Sequence, residues 1–351
     1  MEACIQIKDR IIGKGNPAFI VAELSANHLQ KFNVAIETIH AMKNAGADAV
    51  KIQTYTPDTI TIDCNNEYFQ IKQGTLWDGK TLYQLYKEAY TPWEWQPKLK
   101  KYAEDLGLVF FSAPFDRSAV DFLEKIGTPA YKLASFEITD IQLIEYMAAK
   151  GKPMVLSTGI ATISDIDEAV NVCRKMGNGQ IALLKCTSSY PAPLEEVNLK
   201  TIPHLAETFN VVCGLSDHTT GITVPIAAVA MGACIIEKHF ILDRRMGGPD
   251  KAFSLEPAEF QAMVEAIREI ERAIGEVSYT LTENTIKNRA FSRSLFVVKN
   301  IKKDDVLSEE NVRSIRPGFG LHPRHLPEIL GKRARIDIEK GTPMSWDLIA
   351  S

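Results

Sequence analysis

The stretch CIIEKHF (Cys234–Phe240) is the last of eight short apolar runs, nearly all of which end in a polar or ionisable residue. The other seven runs are FIVAEL (Phe19–Leu24), AVKIQTY (Ala49–Tyr55), VFFSAP (Val109–Pro114), AYKLAS (Ala130–Ser135), PMVLST (Pro153–Thr158), IALLKCT (Ile181–Thr187) and VVCGLSD (Val211–Asp217). Segments with helical periodicity, such as ISDIDEAVNVCRKMG, lie between the runs. Strands that alternate with helices eight times predict an α/β fold, a (β/α)8 TIM barrel whose functional residues lie at the C-terminal ends of the strands.

The composition narrows the class of protein. With 351 residues, 45% of them hydrophobic, the chain can bury the core of a barrel and of a small second domain. A net charge of −4 without a basic block argues against nucleic acid as a partner. The N-terminus lacks a signal-peptide pattern, no run is long enough to span a membrane, and the six cysteines lack CxxC spacing. We therefore expect a cytoplasmic protein with reduced thiols and no membrane partner.

The segment PAEFQAMVEAIREIERAIG has one apolar stripe and is predicted to be the last barrel helix, with its start at Pro257 and its stop at Gly275. After this helix the predicted secondary structure changes. Short strands and turns follow, and VKNIKKDDVLSEENV is echoed by RIDIEKGTPMSWDLI (Arg335–Ile349). This weak repeat indicates a compact β-rich module with pseudo-symmetry. We place the boundary near residue 285, between a barrel domain of residues 1–284 and a module of residues 285–351. Arg316, beside a turn in RPGFG, is expected to be a solvent-exposed charge of that module.

About fifty residues separate the second and third predicted strands, far more than a usual crossover. The segment 56–95 is rich in aromatic residues, as in LWDGKTLYQLYKEAYTPWEW. Because it leaves the C-terminal end of a strand, it must lie over the catalytic face of the barrel. Two interpretations stay open at this point, an extra helix that packs on the barrel and a lid or wall of a substrate site.

Every second residue of a barrel strand points inward, which assigns several polar side chains to the barrel interior. The pairs that share a face by this rule are Glu23 with Ser25, Lys51 with Gln53, Ser216 with His218, and Glu237 with His239. An inward lysine and two inward glutamates must meet counter-ions, a metal or a ligand, because burying a lone charge is very costly. Lys132 and Ser135 differ in parity, so one of them must lie beyond the regular strand.

His218 and His239 follow neighbouring strands, whose ends are roughly 5 Å apart in a barrel, so that the two imidazoles can chelate one ion. Two histidines with open positions suit a catalytic divalent metal. Glu237 would complete the shell, act as acid or base, or orient a bound water. The alternative is a pair of histidines satisfied by hydrogen bonds at strand ends. Their position on adjacent strands, flanked by Glu237 and Asp217, favours the metal.

An anion site is predicted at the same face. Lysine charge, hydroxyl donors and helix N-termini together bind phosphate or carboxylate. The residues of these types at strand ends are Lys51, Lys132, Ser112, Ser135, Ser188 and Ser216. A helix cap is the alternative for any single serine, and Schiff-base formation, as in a barrel aldolase, is the alternative for either lysine. The chain lacks a P-loop and a GxGxxG motif, so a nucleotide cofactor is not indicated.

Ten ordered motifs together resemble the sialic acid synthase family, over residues of about 5–350. They are AELSANH, KIQTYTP, FFSAPFD, AYKLASFE, STGIA, LKCTSSYP, GLSDHT, EKHF, GGPD and RPGFGLHP. The resemblance implies condensation of phosphoenolpyruvate with an N-acetylated amino sugar to a nonulosonic acid, and it identifies the C-terminal module as an antifreeze-like (SAF) domain. Within the family, KIQTYTPDTIT, LWDGKTLYQLYKEAYTPWEW and SFE are most similar to the pseudaminic acid synthases, which implies 2,4-diacetamido-2,4,6-trideoxy-L-altrose as the sugar.

The resemblance also implies a role for each matching residue. His218 and His239 would bind the divalent metal (Mn²⁺, Mg²⁺ or Co²⁺). The residues that would line the phosphoenolpyruvate pocket are Lys51, Gln53, Lys132, Ser135, Ser188 and Ser216, and those that would face the sugar are Glu23, Tyr190, Glu237 and Asp250. Arg316 would reach the barrel from the SAF domain of a second copy in a domain-swapped homodimer, which replaces the expectation of a plain surface charge. Ser188 and Ala113 depart from the family, where Asn and Thr are frequent.

The mechanism that this implies is a metal-dependent condensation with C–O cleavage. Lys51 and Lys132 would hold the carboxylate and phosphate, Glu237 would handle a proton, and Glu23 would position the sugar. N-acetylneuraminate or legionaminate synthesis from another acetamido sugar is the nearest alternative. A Schiff-base aldolase or lyase and a non-catalytic sugar-binding protein are more distant ones.

Overall fold

The structure is a computed structural model that describes residues 3–350, and its eight predicted strands form a closed parallel barrel. The strands in chain order are β1 (Cys4–Ile7), β2 (Arg10–Gly13), β3 (Phe19–Glu23), β4 (Ala49–Thr54), β5 (Val109–Pro114), β6 (Tyr131–Leu133), β7 (Met154–Ser157), β8 (Ile181–Cys186), β9 (Val212–Asp217), β10 (Ile235–His239), β11 (Ser294–Val297) and β12 (Val312–Ile315). Strands β3 to β10 follow one another around the barrel, and β10 pairs with β3 to close it. The predicted TIM barrel is confirmed.

Helices connect the barrel strands, as the periodic segments predict. In chain order the helices are α1 (Phe32–Asn44), α2 (Pro57–Ile60), α3 (Leu82–Ala89), α4 (Gln96–Asp105), α5 (Arg117–Ile126), α6 (Ile141–Ala148), α7 (Ile163–Lys175), α8 (Thr201–Phe209), α9 (Thr223–Ala230), α10 (Pro257–Ile274), α11 (Glu283–Asn288) and α12 (Leu326–Ile329). The last two, α11 and α12, follow the barrel and belong to the C-terminal unit. Helix α10 begins at Pro257 and is followed by Gly275, both as predicted. No helix within residues 3–350 is long and apolar enough to cross a membrane.

The alternation of side chains along the strands gives the barrel two apolar layers. Outward residues such as Ile20, Val50 and Ile236 pack under the surrounding helices. Inward residues near the start of the strands, such as Phe19 and Phe111, form a separate core inside the barrel. The inward positions nearer the strand ends are polar, so the functional residues lie on top of this inner core.

An N-terminal hairpin formed by β1 and β2, which was not predicted, packs on the inner core. Ile5, Ile7 and Ile12 are buried against the apolar residues that the barrel strands turn inward near their N-terminal ends. Each such isoleucine contributes roughly 1.5–3 kcal/mol when it leaves water. The hairpin therefore covers the end of the barrel opposite to the functional one.

The chain separates into two compact units between Gly275 and Glu276. The predicted boundary near 285 lies a few residues further on, within a segment whose side chains are mostly exposed. In the C-terminal unit β11 pairs with β12, and isolated bridges such as Ile301–Ile338 join the two echoing segments. Leu295, Val312 and Ile338 belong to the small core of this unit.

Candidate active site

A cavity of about 330 Å³ lies at the C-terminal end of the barrel strands. Its floor consists of the polar side chains that the strands turn inward, including Lys51, Lys132 and Glu237. The predicted site residues that line it are Lys51, Gln53, Lys132, Ser135, Tyr190, Ser216, His218, Glu237, His239 and Asp250. Glu23 lies directly beneath and contacts both Lys51 and Gln53. The structure therefore brings most of the predicted residues to one place.

Lys51 is the centre of a buried charge cluster. Register pairs Lys51 with Glu23 on the neighbouring strand, and Lys51 Nζ lies 2.8 Å from Glu23 Oε2 and 3.4 Å from Glu237 Oε1. Burial raises the pKa of Glu23 to about 7, although Lys51 opposes the change. Burial also acts on Glu237, but Lys51, Lys132 and His218 outweigh it and lower its pKa. Glu237 is therefore the ionised partner of Lys51, whereas Glu23 exchanges between its protonated and ionised forms near pH 7.

Lys132 is a buried cation without a carboxylate partner among the described residues. Its Nζ donates to Leu133 O at 2.8 Å and to Ser157 Oγ at 2.6 Å, both of them neutral oxygens. Burial lowers the pKa of Lys132, and the attraction of Glu237 offsets only part of this effect. A buried ammonium that lacks an acid is suited to an anionic ligand, because such a ligand supplies the missing charge.

Two serines meet beside Lys132 at the predicted anion site. Ser135 follows β6 in a 3₁₀ turn, which confirms that it lies beyond the regular strand. Ser188 Oγ donates to Ser135 Oγ at 2.9 Å, and Ser135 Oγ accepts from Ile160 N. A Cβ at Gly159 would lie only 2.1 Å from Ser188 Oγ and 2.6 Å from Ser135 Oγ, so a larger residue would force these hydroxyls to move. The glycine of STGIA therefore lets the loop after β7 approach the hydroxyls.

His218 and His239 lie side by side at the ends of adjacent strands, with ring centroids 5.4 Å apart and ring planes inclined at 58°. His218 Nδ1 forms a hydrogen bond of 3.0 Å with Thr187 O. His239 Nδ1 is buried without a hydrogen bond and lies 3.7 Å from Asp250 Oδ2. Burial, with the charges of His218 and Lys51, holds the pKa of His239 well below its usual range, so this imidazole is neutral. No group of three or more His, Cys, Asp or Glu side chains within residues 3–350 forms a ready metal cluster.

A second group of predicted residues borders the histidines. The Tyr190 ring packs on His218 at 4.5 Å. Gln53 Nε2 donates to Glu23 Oε1 at 3.3 Å and to Ser25 Oγ at 3.1 Å. Gln53 therefore contacts the Glu23 side of the cavity, whereas the sequence places it with the phosphoenolpyruvate residues.

Ser112 is not brought into the cavity. Its hydroxyl forms hydrogen bonds with Thr54 Oγ1 at 2.6 Å and Ile52 O at 3.0 Å, and it does not line the cavity. Parity explains the difference, because Phe111 on the same strand belongs to the inner core and Ser112 must then face outward. Arg316 lies in the C-terminal unit, where its side chain is exposed just before a cis peptide bond to Pro317.

Glu137, Trp77 and Cys186 are among the lining residues that the sequence did not single out. Glu137 follows Ser135 in the same turn, and its Oε2 is buried without a hydrogen bond. Trp77 belongs to the long insertion, and its Nε1 donates to Pro249 O at 3.2 Å. Cys186 ends β8, with its Sγ 3.8 Å from His218 Nδ1. The inward parity of Cys186 was a usable signal, whereas Trp77 and Glu137 lie on irregular segments that parity does not cover. The contribution of Trp77 to the cavity favours the wall interpretation of the insertion.

The comparisons with known proteins agree with the barrel and its C-terminal unit. Residues 38–279 match the NeuB family, and residues 292–350 match the SAF domain. The pseudaminic acid synthase of Campylobacter jejuni strain 81-176 is 48% identical over 92% of this chain and 94% of its own length. That of Helicobacter pylori is 48% identical over 94% of this chain and 97% of its own. The crystal structure of N-acetylneuraminic acid synthetase from Leptospira borgpetersenii, in complex with citrate, superposes with a TM-score of 0.73 at 32% identity, covering 82% of this chain and 95% of that one. This chain belongs to the NeuB family.

Proposed function

We propose that this chain is a pseudaminic acid synthase, a transferase that condenses phosphoenolpyruvate with 2,4-diacetamido-2,4,6-trideoxy-L-altrose and releases phosphate. The observation that carries the proposal is the buried Lys132, next to the Lys51 cluster, in a chain 48% identical to pseudaminic acid synthases over nearly its whole length. Phosphoenolpyruvate is made and used in the cytoplasm, which is therefore the proposed compartment.

The floor of the cavity is the proposed site of phosphoenolpyruvate. Lys132 and Lys51 would hold its two anionic groups, and the Ser135 hydroxyl, which accepts from Ser188, would donate to one of its oxygens. Both lysines project from the strand floor, which fixes their positions and excludes water from around them. Ser188 belongs to the proposed phosphoenolpyruvate site through its hydrogen bond to Ser135.

The chain's own residues account for charge and proton movement in the reaction. C3 of phosphoenolpyruvate forms a bond to the sugar aldehyde carbon, and the aldehyde oxygen becomes a hydroxyl by taking up the proton that water loses as it adds at C2. The bond from C2 to the bridging oxygen then breaks, the C2 hydroxyl becomes a ketone, and its proton leaves with the phosphate. Lys51 and Lys132 stabilise the charge that moves between the carboxylate and phosphate. Glu237, ionised beside Lys51, takes a proton from the water. Asp250 and Tyr190, on the His239 side, position the open-chain sugar.

His218 and His239 would hold a divalent metal, Mn²⁺, Mg²⁺ or Co²⁺. The donor set fits, because His239 Nδ1 has no hydrogen bond and the contact of His218 Nδ1 with Thr187 leaves its other nitrogen for a ligand. When bound, the ion would supply Lewis-acid polarisation of the sugar aldehyde. Chelation should abolish phosphate release and Mn²⁺ should restore it, while the electron paramagnetic resonance signal should report loss of Mn²⁺ binding in His218→Ala. Full activity of the metal-free protein would refute the proposed requirement for a metal.

A homodimer in which each site is completed by Arg316 of a second copy is also proposed. The segment that follows the barrel exposes large apolar side chains, including Val277, Tyr279 and Phe291, which is unusual for a free surface. Apolar side chains of this kind are suited to burial against another copy. The exposed Arg316 then supplies a cation suited to a phosphate or carboxylate.

Isotope tracing tests the proposed reaction. Phosphoenolpyruvate labelled with ¹⁸O at the bridging position, incubated with the purified protein and the diacetamido-trideoxy-altrose, should give labelled phosphate and an unlabelled sugar acid. Label retained in the sugar acid would refute C–O cleavage. A parallel panel with N-acetylmannosamine and the legionaminic-type sugar measures which substrate has the highest kcat/KM. A higher value for either of the latter would replace the proposed sugar and leave the reaction class intact.

A further inference from the structure

The cavity has two chemically different sides. The floor carries the lysines, carboxylates and histidines described above. The opposite side is lined by apolar side chains that the insertion between β4 and α4 and the end of β5 supply, namely Ile60, Leu85, Ala89 and Phe115, called here the apolar wall. The floor matches the anionic groups of phosphoenolpyruvate, and none of the reaction steps derived above uses the wall.

The apolar wall is a built surface. Thr81 and Gln84 form a reciprocal capping box that starts α3, and α2 packs against α3. Leu85 and Ala89 are four residues apart on α3 and therefore share one face. Leu85 is only 8% exposed although it belongs to an insertion. Such packing indicates a wall that is present before substrate binds.

Aromatic contacts connect the wall to the barrel. The ring of Tyr55, at the end of β4, meets Tyr86 edge-on at 5.6 Å and Phe115 at 5.1 Å. These contacts fix Phe115 and the α3 face relative to the strand ends. The four wall side chains have neither donors nor acceptors, and the polar groups beside them include the hydroxyls of Tyr55 and Tyr86, which line the same cavity. A sugar hydroxyl placed against the four side chains would lose its water without gaining a partner from them.

We propose that the apolar wall binds the C6 methyl group of the deoxy sugar and selects against a hydroxyl at that carbon. The inference rests on the proposed function. The aldehyde carbon C1 must lie at the floor, where phosphoenolpyruvate and the ionisable residues are, and C6 is the opposite end of the open chain. The C6 end of the sugar therefore points away from the floor and meets the apolar wall. The trideoxy sugar has a methyl group at C6, whereas its 6-hydroxy analogue has a hydroxymethyl group at that carbon.

The test compares two sugars that differ at one atom, 2,4-diacetamido-2,4,6-trideoxy-L-altrose and its 6-hydroxy analogue, by phosphate release from phosphoenolpyruvate. The wild-type kcat/KM should favour the deoxy sugar by up to about 100-fold, the discrimination that an apolar pocket achieves against an added hydroxyl. Ile60→Thr and Ala89→Ser each place a hydroxyl in the wall, so each should reduce this ratio at least about 5-fold. Ile62→Thr is the matched control, since Ile62 is 59% exposed and outside the cavity lining.

The ratio separates recognition from a structural defect. A variant that only loosens the wall would lower kcat/KM for both sugars equally and leave the ratio unchanged. The inference is overturned by a wild-type ratio near one, or by ratios in both wall variants equal to that of Ile62→Thr, and the proposed function would survive either result. Wild-type protein that releases phosphate with neither sugar would overturn both. Thermal melting of each variant verifies that it is folded at the assay temperature.

Discussion

Replacement of Glu137 by glutamine should stabilise the protein at pH 8 and have only a small effect at pH 5. Glu137 lines the cavity, and its Oε2 is buried without a hydrogen bond. Burial raises its pKa from 4.5 to about 7, even though the nearby Lys132 opposes the change. The wild-type protein must therefore hold a poorly solvated carboxylate at pH 8, and the glutamine variant removes that charge at nearly constant volume.

The magnitude follows from the linkage between protonation and folding. Since the folded pKa lies above the unfolded one, the stability that the protonated carboxyl contributes is complete below pH 4.5 and is lost as the pH rises through about 7. The difference between 4.5 and about 7, at about 1.4 kcal/mol per pH unit, amounts to about 3 kcal/mol at pH 8. At pH 5 the same linkage leaves a difference of about 1 kcal/mol.

Urea denaturation at pH 5 and pH 8 measures the effect on the barrel unit, with Glu145→Gln as the control. Glu145 lies on α6, a few residues beyond Glu137, and its side chain is exposed. The control should change stability by less than about 0.5 kcal/mol at both pH values. A Glu137→Gln variant no more stable than wild type at pH 8, or equally stabilised at both pH values, would refute the burial argument.

Three further predictions concern the floor of the cavity and the second copy. Glu237→Gln should lower kcat for phosphate release by about 10²–10⁴-fold with a small change in KM for phosphoenolpyruvate, because it removes the proton acceptor but little binding. Lys132→Met should raise the melting temperature of the free protein and abolish its further rise on adding phosphoenolpyruvate, because a buried unpaired cation is replaced by an apolar side chain. Inactive Arg316→Ala and His218→Ala proteins, unfolded and refolded together in equal amounts, should regain about a quarter of wild-type activity, the fraction of intact sites in randomly paired dimers. Steady-state kinetics test the first prediction, melting curves the second and the mixing experiment the third. If mixing restored no activity, that result would argue against sites shared between two copies.

Much of the barrel could be predicted because its strands have a simple chemical pattern. In the run AVKIQTY the apolar Val50 and Ile52 alternate with Lys51 and Gln53, and the structure places the two polar residues on the inner side as parity requires. The N-terminal hairpin could not be predicted in the same way. Its strands are only four residues long, and Ile5, Ile7 and Ile12 have meaning only once the open end of a barrel exists to receive them. Tertiary context decides that element.

In the candidate site too, some residues could be predicted from a local sequence pattern and others could not. The direction of a residue on a regular strand could be predicted from its parity. Ser112 was assigned to the site only because it lies near a strand end, and its parity turns its hydroxyl outward to Thr54. Glu137 and Gly159 lie on turns, where direction depends on backbone angles that the sequence does not display. The importance of Gly159 emerges only from the 2.1 Å approach that a Cβ would make to Ser188.

The distribution of charge in the cavity implies an order of substrate binding. Lys51 has Glu23 and Glu237 within ion-pair distance, whereas Lys132 has no carboxylate at that distance within the described part of the chain. Lys132 is therefore the buried cation that an anionic ligand can pair, and phosphoenolpyruvate can supply that charge with its carboxylate or phosphate, whereas an uncharged sugar cannot. A sugar that bound first would cover a buried cation and leave it unpaired. If phosphoenolpyruvate occupies the floor and the deoxy sugar the apolar wall, as proposed, phosphoenolpyruvate entering first would leave the wall free for the sugar.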